Sequence, residues 1–528
     1  MDKITIYDST LRDGAQAEGI SFSVEDKLKI VKALDAFGTD YIEAGNPGSN
    51  PKDLEFFRRA KEMNLQTSKL VAFGSTRRRD IDVADDKNVQ SLLTADTDAI
   101  AIFGKSWDFH VTDIINTTLD ENLAMIADTV AFGKAQGKTL IFDAEHFFDG
   151  YKHNPDYAVQ TLKAAADAGA DWLVLCDTNG GAFPAEVAEI TAKMQAMFDV
   201  PIGIHTHNDC DMAVANSVVA VEAGARMVQG TFTGFGERCG NAALSSVIPA
   251  LQLKRGYDCI PEENMPLLKH TARLVAEVAN LALPENTPFI GRAAFAHKGG
   301  MHIDGVAKAS QSFEHIDPEL VGNERRVLTS EVAGRSTILR KLQSVKPDLQ
   351  KDSPETTEII DALKALEHQG YQFEAAESTF DLVIRKKLGK YKPFFELVNF
   401  KIIGEQPYVK GRSSSAVIKV IVEGKEEITA AEGDGPVHAL DKALRKALEV
   451  FYPQLASVHL TDYKVRVLDG GEATAAKVRV LIESSDGVRS WSNVGVSNDI
   501  IEASWIALVD SIEYKLIQDL EQKYKAYL

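Results

Sequence analysis

Two histidines one residue apart, His205 and His207 in the run His205-Thr206-His207-Asn208-Asp209, close the apolar stretch Val200 to Ile204. Residues two apart on an extended strand face the same side, so the imidazoles stand together while Thr206 turns away. Paired imidazoles are half of a divalent-cation site. Near the N-terminus, Arg12 and Asp13 follow the apolar segment Ile4 to Thr10. Asp, Asn, Thr and Gly often serve only as turns and caps. That role suits Asn46, Asn179 and Asp209, but neither a histidine pair embedded in a strand nor the Arg12–Asp13 pair.

The elements that must carry these residues recur evenly. After Ile4 to Thr10 come strand-length apolar runs at Tyr41 to Ala44, Leu70 to Phe73, Ala99 to Phe103, Leu140 to Phe142, Trp172 to Cys176, Ile202 to His207 and Met227 to Thr231. Helical periodicity separates them, as at Ser23 to Phe37, Leu119 to Gln136, Pro155 to Ala168, Pro184 to Phe198 and Met212 to Ala223. Short buried strands alternating with helices predict an α/β fold, a closed (β/α)8 barrel over residues 1–260. An open doubly wound sheet would need a glycine-rich fingerprint after its first strand, and Arg12-Asp13-Gly14 is not one.

Barrel enzymes place their chemistry where strands end. Polar residues gather there: Arg12 and Asp13, Glu43 and Asn46, Ser75 and Arg77, then Lys105. Glu145 and His146 follow the fifth run, Asp177, Thr178 and Asn179 the sixth, the histidine pair the seventh, and Gly234 to Asn241 the eighth.

Thr10-Leu11-Arg12-Asp13-Gly14 with Gln16, the His205 to Asp209 run, and Gly234-Phe235-Gly236-Glu237-Arg238-Cys239-Gly240-Asn241 together resemble the signatures of the metal-dependent Claisen-condensing barrel enzymes. These are the 2-isopropylmalate, homocitrate and citramalate synthases, which share a superfamily with hydroxymethylglutaryl-CoA lyase. The resemblance runs over nearly the whole chain. The stretches Ile102 to Val111 and Phe142 to Gly150 look most like the citramalate-forming branch. It implies condensation of acetyl-CoA with a 2-oxo acid, pyruvate foremost; 2-oxoisovalerate or 2-oxoglutarate are the alternatives, and a lyase is the different class.

The same resemblance assigns roles. Asp13, His205 and His207 would hold a divalent cation, with Asn241 or water as a further ligand. Zn2+ or Mn2+ is expected, and the donor set also tolerates Mg2+ or Co2+. Arg12 would stabilise the developing alkoxide, Thr178 would bind the substrate carboxylate, and Glu145 would handle the acetyl-CoA proton. His302, in Ala296-His297-Lys298-Gly299-Gly300-Met301-His302, matches a family histidine that reaches the active site, in relatives across a dimer. Phe313 stands where relatives often carry tyrosine, and Ala242-Ala243 replaces the usual Ala-Asn.

Residues 261–375 read as helical linker subdomains, broken by Pro261, Pro266, Pro284 and Pro288. Residues 380–528 carry an internal repeat, Asn399 to Phe451 and Thr461 to Tyr514, each of alternating strands followed by one amphipathic helix (His438 to Val450, Ile500 to Leu516). This tail resembles the family's regulatory domain and implies feedback by an amino acid, isoleucine foremost, and a homodimer. The loops Glu432 to Pro436 and Asp469 to Glu472 are candidates to meet it, although simple turns explain either loop.

Composition fits such an enzyme. The 528-residue chain is 45% apolar, contains no apolar run of bilayer-spanning length, and shows no basic-apolar targeting segment at Met1. A net charge of −19 argues against nucleic acid and for a cytoplasmic setting. Cys176, Cys210, Cys239 and Cys259 show no paired spacing and read as reduced thiols.

Overall fold

The computed structural model describes residues 2–328, 342–343, 346, 348–350, 353–405, 413–468, 476–487 and 489–526. Eight parallel strands close into a barrel: β1 (Thr5–Asp8), β2 (Tyr41–Gly45), β3 (Lys69–Ser75), β4 (Ala99–Lys105), β5 (Thr139–Glu145), β6 (Trp172–Asp177), β7 (Ile202–Thr206) and β8 (Met227–Gly230). Each pairs with the next, and β8 returns to β1 through Thr5↔Met227 to Asp8↔Gly230. The predicted closed (β/α)8 architecture is the observed one.

Local chemistry explains the alternation. The helix Val24–Phe37 starts at a capping box, with Ser23 accepting from the Asp26 N–H and Asp26 from Ser23, and stops at Gly38 in the left-handed conformation. The helix Pro155–Asp167 begins with an Asn154 cap and a proline in its first turn. Outward-facing strand residues such as Ile6, Ile42, Ile100, Leu140, Leu173 and Val228 pack under the helices. Inward residues fill the barrel floor with Tyr7, Val71, Ala99, Ala101, Ile141, Val174 and Met227.

One step nearer the carboxyl ends, the inward positions turn polar or aromatic. Register aligns Phe103 with Asp143, Lys105 with Glu145, Cys176 with His205, and His205 with Gln229. β4 extends to Lys105, two residues beyond the apolar run, because backbone pairing with β5 continues although the side chains change character.

The chain divides into two compact units, the first reaching Ala296 and including Glu314–Arg326, the second comprising His297–Phe313 and everything after Arg326. The tail of the second unit is the repeat seen in the sequence. Strands Glu396–Gly404, Ser414–Val422 and Lys425–Gly433 precede the helix Pro436–Leu448. Strands His459–Val467, Val478–Ser485 and Ser490–Ser497 precede the helix Ile500–Ala526. Both three-stranded sheets are antiparallel. Ile418, Val420, Leu440 and Leu444 of one copy join Val480, Ile482, Leu508 and Ile512 of the other in one core. The loop Asp469 to Glu472 lies outside the described residues.

Within that core Glu513 is buried and accepts the Phe394 N–H at 3.0 Å. Burial pushes its carboxyl up to about 7. The folded value lies above the unfolded one, so the fold binds a proton and stability declines as pH rises through that interval. Glu513→Gln removes this dependence. Between pH 5 and 8, urea unfolding of the full chain should lose on the order of 2 kcal/mol more in wild type than in the variant; equal pH slopes would contradict it.

Candidate active site at the barrel rim

At the carboxyl-terminal mouth of the barrel, Asp13, His205, His207 and Asn241 converge. Asp13 follows β1, in a turn where its N–H bonds Ser9 Oγ at 3.2 Å. His205 lies on β7, and His207 just beyond it forms an isolated antiparallel bridge with Asn241. Asn208 N–H to Gly240 O (2.8 Å) and Ala242 N–H to Thr206 O (3.0 Å) stitch the loop after β8 onto the end of β7. The loop's glycines permit this closeness. A Cβ on Gly236 would lie 1.9 Å from Asn241 Oδ1, and one on Gly240 2.0 Å from Gly234 O.

The donor atoms fit a cation. Asp13 Oδ2 stands 3.2 Å from His205 Nε2 and 3.7 Å from His207 Nε2, and the two Nε2 atoms are 3.3 Å apart. Ligands bonded at about 2.1 Å stand ~3.0–3.4 Å apart around an octahedral or tetrahedral ion; the 3.2 and 3.3 Å spacings fall in that range and the 3.7 Å one just beyond it. Asn241 Nδ2 reaches Asp13 Oδ2 at 3.1 Å and His205 Nε2 at 3.3 Å, while its Oδ1 is buried with no donor. A half-turn of that amide exchanges nitrogen for oxygen. Asp13, His205 and His207 are the cluster of cation-binding type among the described residues.

Charges around the cluster prepare it. Burial raises the Asp13 carboxyl, but Arg12 and His205 outweigh it and hold the group well below the usual carboxylate range. Burial, then the neighbouring His205, lower His207 to about 4, so at neutral pH its ring is uncharged and its nitrogen open. His205 Nδ1 sits 2.8 Å from Gln229 Oε1, an acceptor, so Nδ1 carries the hydrogen and Nε2 faces the cluster. Gln229 is oriented in turn by donating to Asp143 Oδ1 at 2.9 Å. Burial, then Glu43, raise Asp143 to about 7.

Arg12 is anchored from below. Its Nε donates to Glu43 Oε1 at 2.5 Å, and its guanidinium lies 3.8 Å over the Phe73 ring. Glu43 is fully buried and also accepts from Tyr7 OH (2.7 Å) and Ser9 Oγ (2.6 Å). Burial disfavours the charge on Arg12, yet Glu43 and Asp13 more than offset that and raise its pKa.

Two strands round the barrel from the histidines, Glu145 ends β5 and is ion-paired with Lys105 at the end of β4. Thr178 follows β6, and its hydroxyl accepts the His146 N–H at 2.8 Å, leaving the O–H free to donate elsewhere. His146 is left-handed (φ 57°, ψ 34°), which turns its N–H that way. Arg238 closes the third side, donating to both Asp209 oxygens (2.8 and 2.9 Å) and to Thr178 O (2.7 Å).

A cavity of about 200 Å3 opens between these groups, lined by Arg12, Asp13, Glu145, Thr178, His205 and His207 with Phe73, Phe103 and Cys176 among its walls. The structure thus brings seven of the eight residues singled out from sequence to one rim. His302 belongs to the second unit, on the helix Gly300–Lys308, exposed and stacked on Phe313 with ring centroids 4.1 Å apart. Arg77 turns aside to Asp128 and Glu121 and serves a structural ion pair. Cys210 and Cys239 are exposed free thiols, and Cys176 and Cys259 are buried ones.

Sequence reasoning missed Gln229. Its signal was a lone amide in the apolar run Met227 to Gly230, at an inward position beside His205.

A closed barrel whose rim carries a carboxylate, two imidazoles and an anchored arginine defines a cation-assisted (β/α)8 enzyme. The HMGL-like family profile matches residues 3–275, the profile of the homocitrate synthase post-HMGL domain residues 289–371, and that of the LeuA allosteric (dimerisation) domain residues 374–516. An (R)-citramalate synthase of Aquifex aeolicus (strain VF5) is 54% identical over 99% of this chain and 99% of its own. One from Synechocystis sp. (strain ATCC 27184 / PCC 6803 / Kazusa) is 52% identical over 97% and 96%, and one from Geobacter sulfurreducens (strain ATCC 51573 / DSM 12127 / PCA) 51% over 98% and 98%. The chain belongs to the HMGL-like family, within its (R)-citramalate synthase group.

Gln229→Leu tests the arrangement around His205. Zinc or manganese affinity, measured by competition with a chromophoric chelator, should fall ~10–100-fold while the protein still folds; unchanged affinity would show that Gln229 does not orient the ring.

Proposed function

We propose that the chain condenses acetyl-CoA with pyruvate and water to give (R)-citramalate and free CoA. The observation that carries the reading is one small cavity that combines a cation-binding triad, an anchored guanidinium and the Glu145 carboxylate. The names of the near-full-length relatives, each an (R)-citramalate synthase, support the product.

Asp13, His205 and His207, with Asn241 beside them, would hold a divalent cation, which when bound would supply Lewis acidity toward the ketone oxygen of the 2-oxo acid. Arg12 donates to the same oxygen as it gains charge, and its anchoring by Glu43 means little reorganisation is needed. The Thr178 hydroxyl donates to the substrate carboxylate. Glu145 takes a methyl proton from acetyl-CoA, and the carbon freed of it bonds to the ketone carbon as the C=O π pair moves onto oxygen, which then takes up a proton to become the product hydroxyl. Water then cleaves the thioester, leaving a second carboxylate and the CoA thiol. His302 is proposed to assist this proton traffic.

The choice of pyruvate draws support from Phe73 and Phe103, whose rings stack at 5.3 Å and give the cavity wall an apolar surface. The tail's family profile supports dimerisation and allosteric control, and the effector is proposed to be a branched-chain amino acid, isoleucine foremost. No helix among the described residues is long and apolar enough to cross a membrane. With the acidic charge, that fits the cytoplasmic setting proposed from sequence.

Thiol release from acetyl-CoA across a panel of 2-oxo acids tests the reaction. Pyruvate should be preferred, and a chelator should abolish turnover until Mn2+ or Zn2+ is restored; preference for 2-oxoisovalerate would replace the substrate. Phe103→Ala should raise kcat/KM for 2-oxobutyrate relative to pyruvate by ~10-fold or more, the range a methylene-sized change commands. Equilibrium binding of labelled isoleucine and leucine tests the tail, and no saturable site for either would remove amino-acid control.

A further inference from the structure

We propose that Lys105 is a positioning residue for the reaction, acting through Glu145. This rests on Glu145 being the group that takes the acetyl-CoA proton.

Lys105 and Glu145 are register partners at the carboxyl ends of adjacent strands. Strand alternation sends both side chains inward, above Phe103 and Asp143. Lys105 Nζ binds Glu145 Oε2 directly, with the two side chains 18% and 23% exposed. Glu145 lines the cavity and Lys105 does not. The ammonium engages one carboxylate oxygen, Oε2, of a residue that lines the cavity. Among the described residues, Lys105 is the cation paired with Glu145.

Both ends of the pair are rigidly mounted. The Lys105 carbonyl accepts from Asn122 Nδ2 at 2.8 Å, and Asn122 Nδ2 also meets Tyr157 OH at 2.8 Å. The Glu145 carbonyl accepts the Ser106 N–H at 3.1 Å, so the strand ends cannot slide past one another. The aliphatic stem of Lys105 runs by Phe103, with Nζ 5.6 Å from that ring's centroid. A glutamate has three side-chain torsions, and a free one at a solvent-connected mouth samples several rotamers. Clamping one oxygen removes that freedom. Proton abstraction from a weak carbon acid depends steeply on such placement.

A residue that acts through another gives a specific kinetic pattern. CoA release with pyruvate is compared for wild type, Lys105→Met, Lys105→Gln, Lys105→Arg, Glu145→Gln and the double variant K105M/E145Q. Bound metal and thermal melting are recorded for each. Lys105→Met and Lys105→Gln should lose ~100-fold in kcat with KM for pyruvate within ~3-fold of wild type, and Lys105→Arg should recover to within ~10-fold of wild type. K105M/E145Q should be no slower than E145Q, since the lysine has nothing left to position. A kcat within ~3-fold of wild type in both neutral variants, a double variant slower than E145Q by the full Lys105 factor, or no recovery with arginine would each overturn the proposal. Absence of CoA release by wild type on any 2-oxo acid would instead overturn the reading of the reaction, and turnover of a different acid would leave the Lys105 comparison to be made on that acid.

Discussion

The Glu43 carboxylate, shut inside the barrel, is what the rim depends on. It accepts from Tyr7, Ser9 and Arg12, so each of its oxygens is engaged and none of its charge faces an apolar wall. Removing one partner of such a buried pair costs about 3–5 kcal/mol, far more than a surface ion pair contributes. Arg12 is consequently fixed before any substrate arrives, with its flat face on Phe73 and its remaining N–H groups toward the cavity. Its charge then holds Asp13 ionised, and Asp13 draws the two imidazoles together. One anion at the second strand thereby governs the electrostatics of the whole mouth.

The rim divides its labour between two arcs. β7, β8 and the turn after β1 carry electron-pair donors backed by a relay from His205 through Gln229 to Asp143. β4 and β5 carry an ammonium–carboxylate pair suited to moving a proton. Thr178 lies between them, with its hydroxyl oriented by the left-handed turn at His146. The polar arcs rise from a floor of tightly packed inward side chains, which keeps the strands, and so the distances, from drifting.

The sequence made much of this legible because barrels obey simple parity. Apolar runs at even spacing named the strands, and the His205–His207 interval named a face. Its limits were equally physical. The apolar signal ended at Phe103, yet backbone pairing carries β4 on to Lys105, so a residue taken to follow a strand lies in it and faces Glu145. Gln229 was invisible as a single amide until register set it beside His205. Arg77 had the same credentials as Arg12, a cation at a strand end, and only the fold reveals that it turns outward to Asp128 and Glu121. His302 stood out by resemblance, but local pattern says nothing of which body carries it; it lies in the second unit against Phe313.

The donor cluster straddles the seam where the last strand meets the first. Asp13 belongs to the opening turn of the chain, Asn241 to the loop after β8, and they touch across the pairing of β1 with β8. The Phe232 N–H adds a second stitch there by bonding Thr10 Oγ1 at 2.9 Å. A contiguous fragment holding β7 and β8 therefore carries His205, His207 and Asn241 but lacks the carboxylate. The anion joins the imidazoles only where the ring is shut, and a ring opened at that joint would part Asp13 from the histidines while the β7–β8 side kept its own contacts.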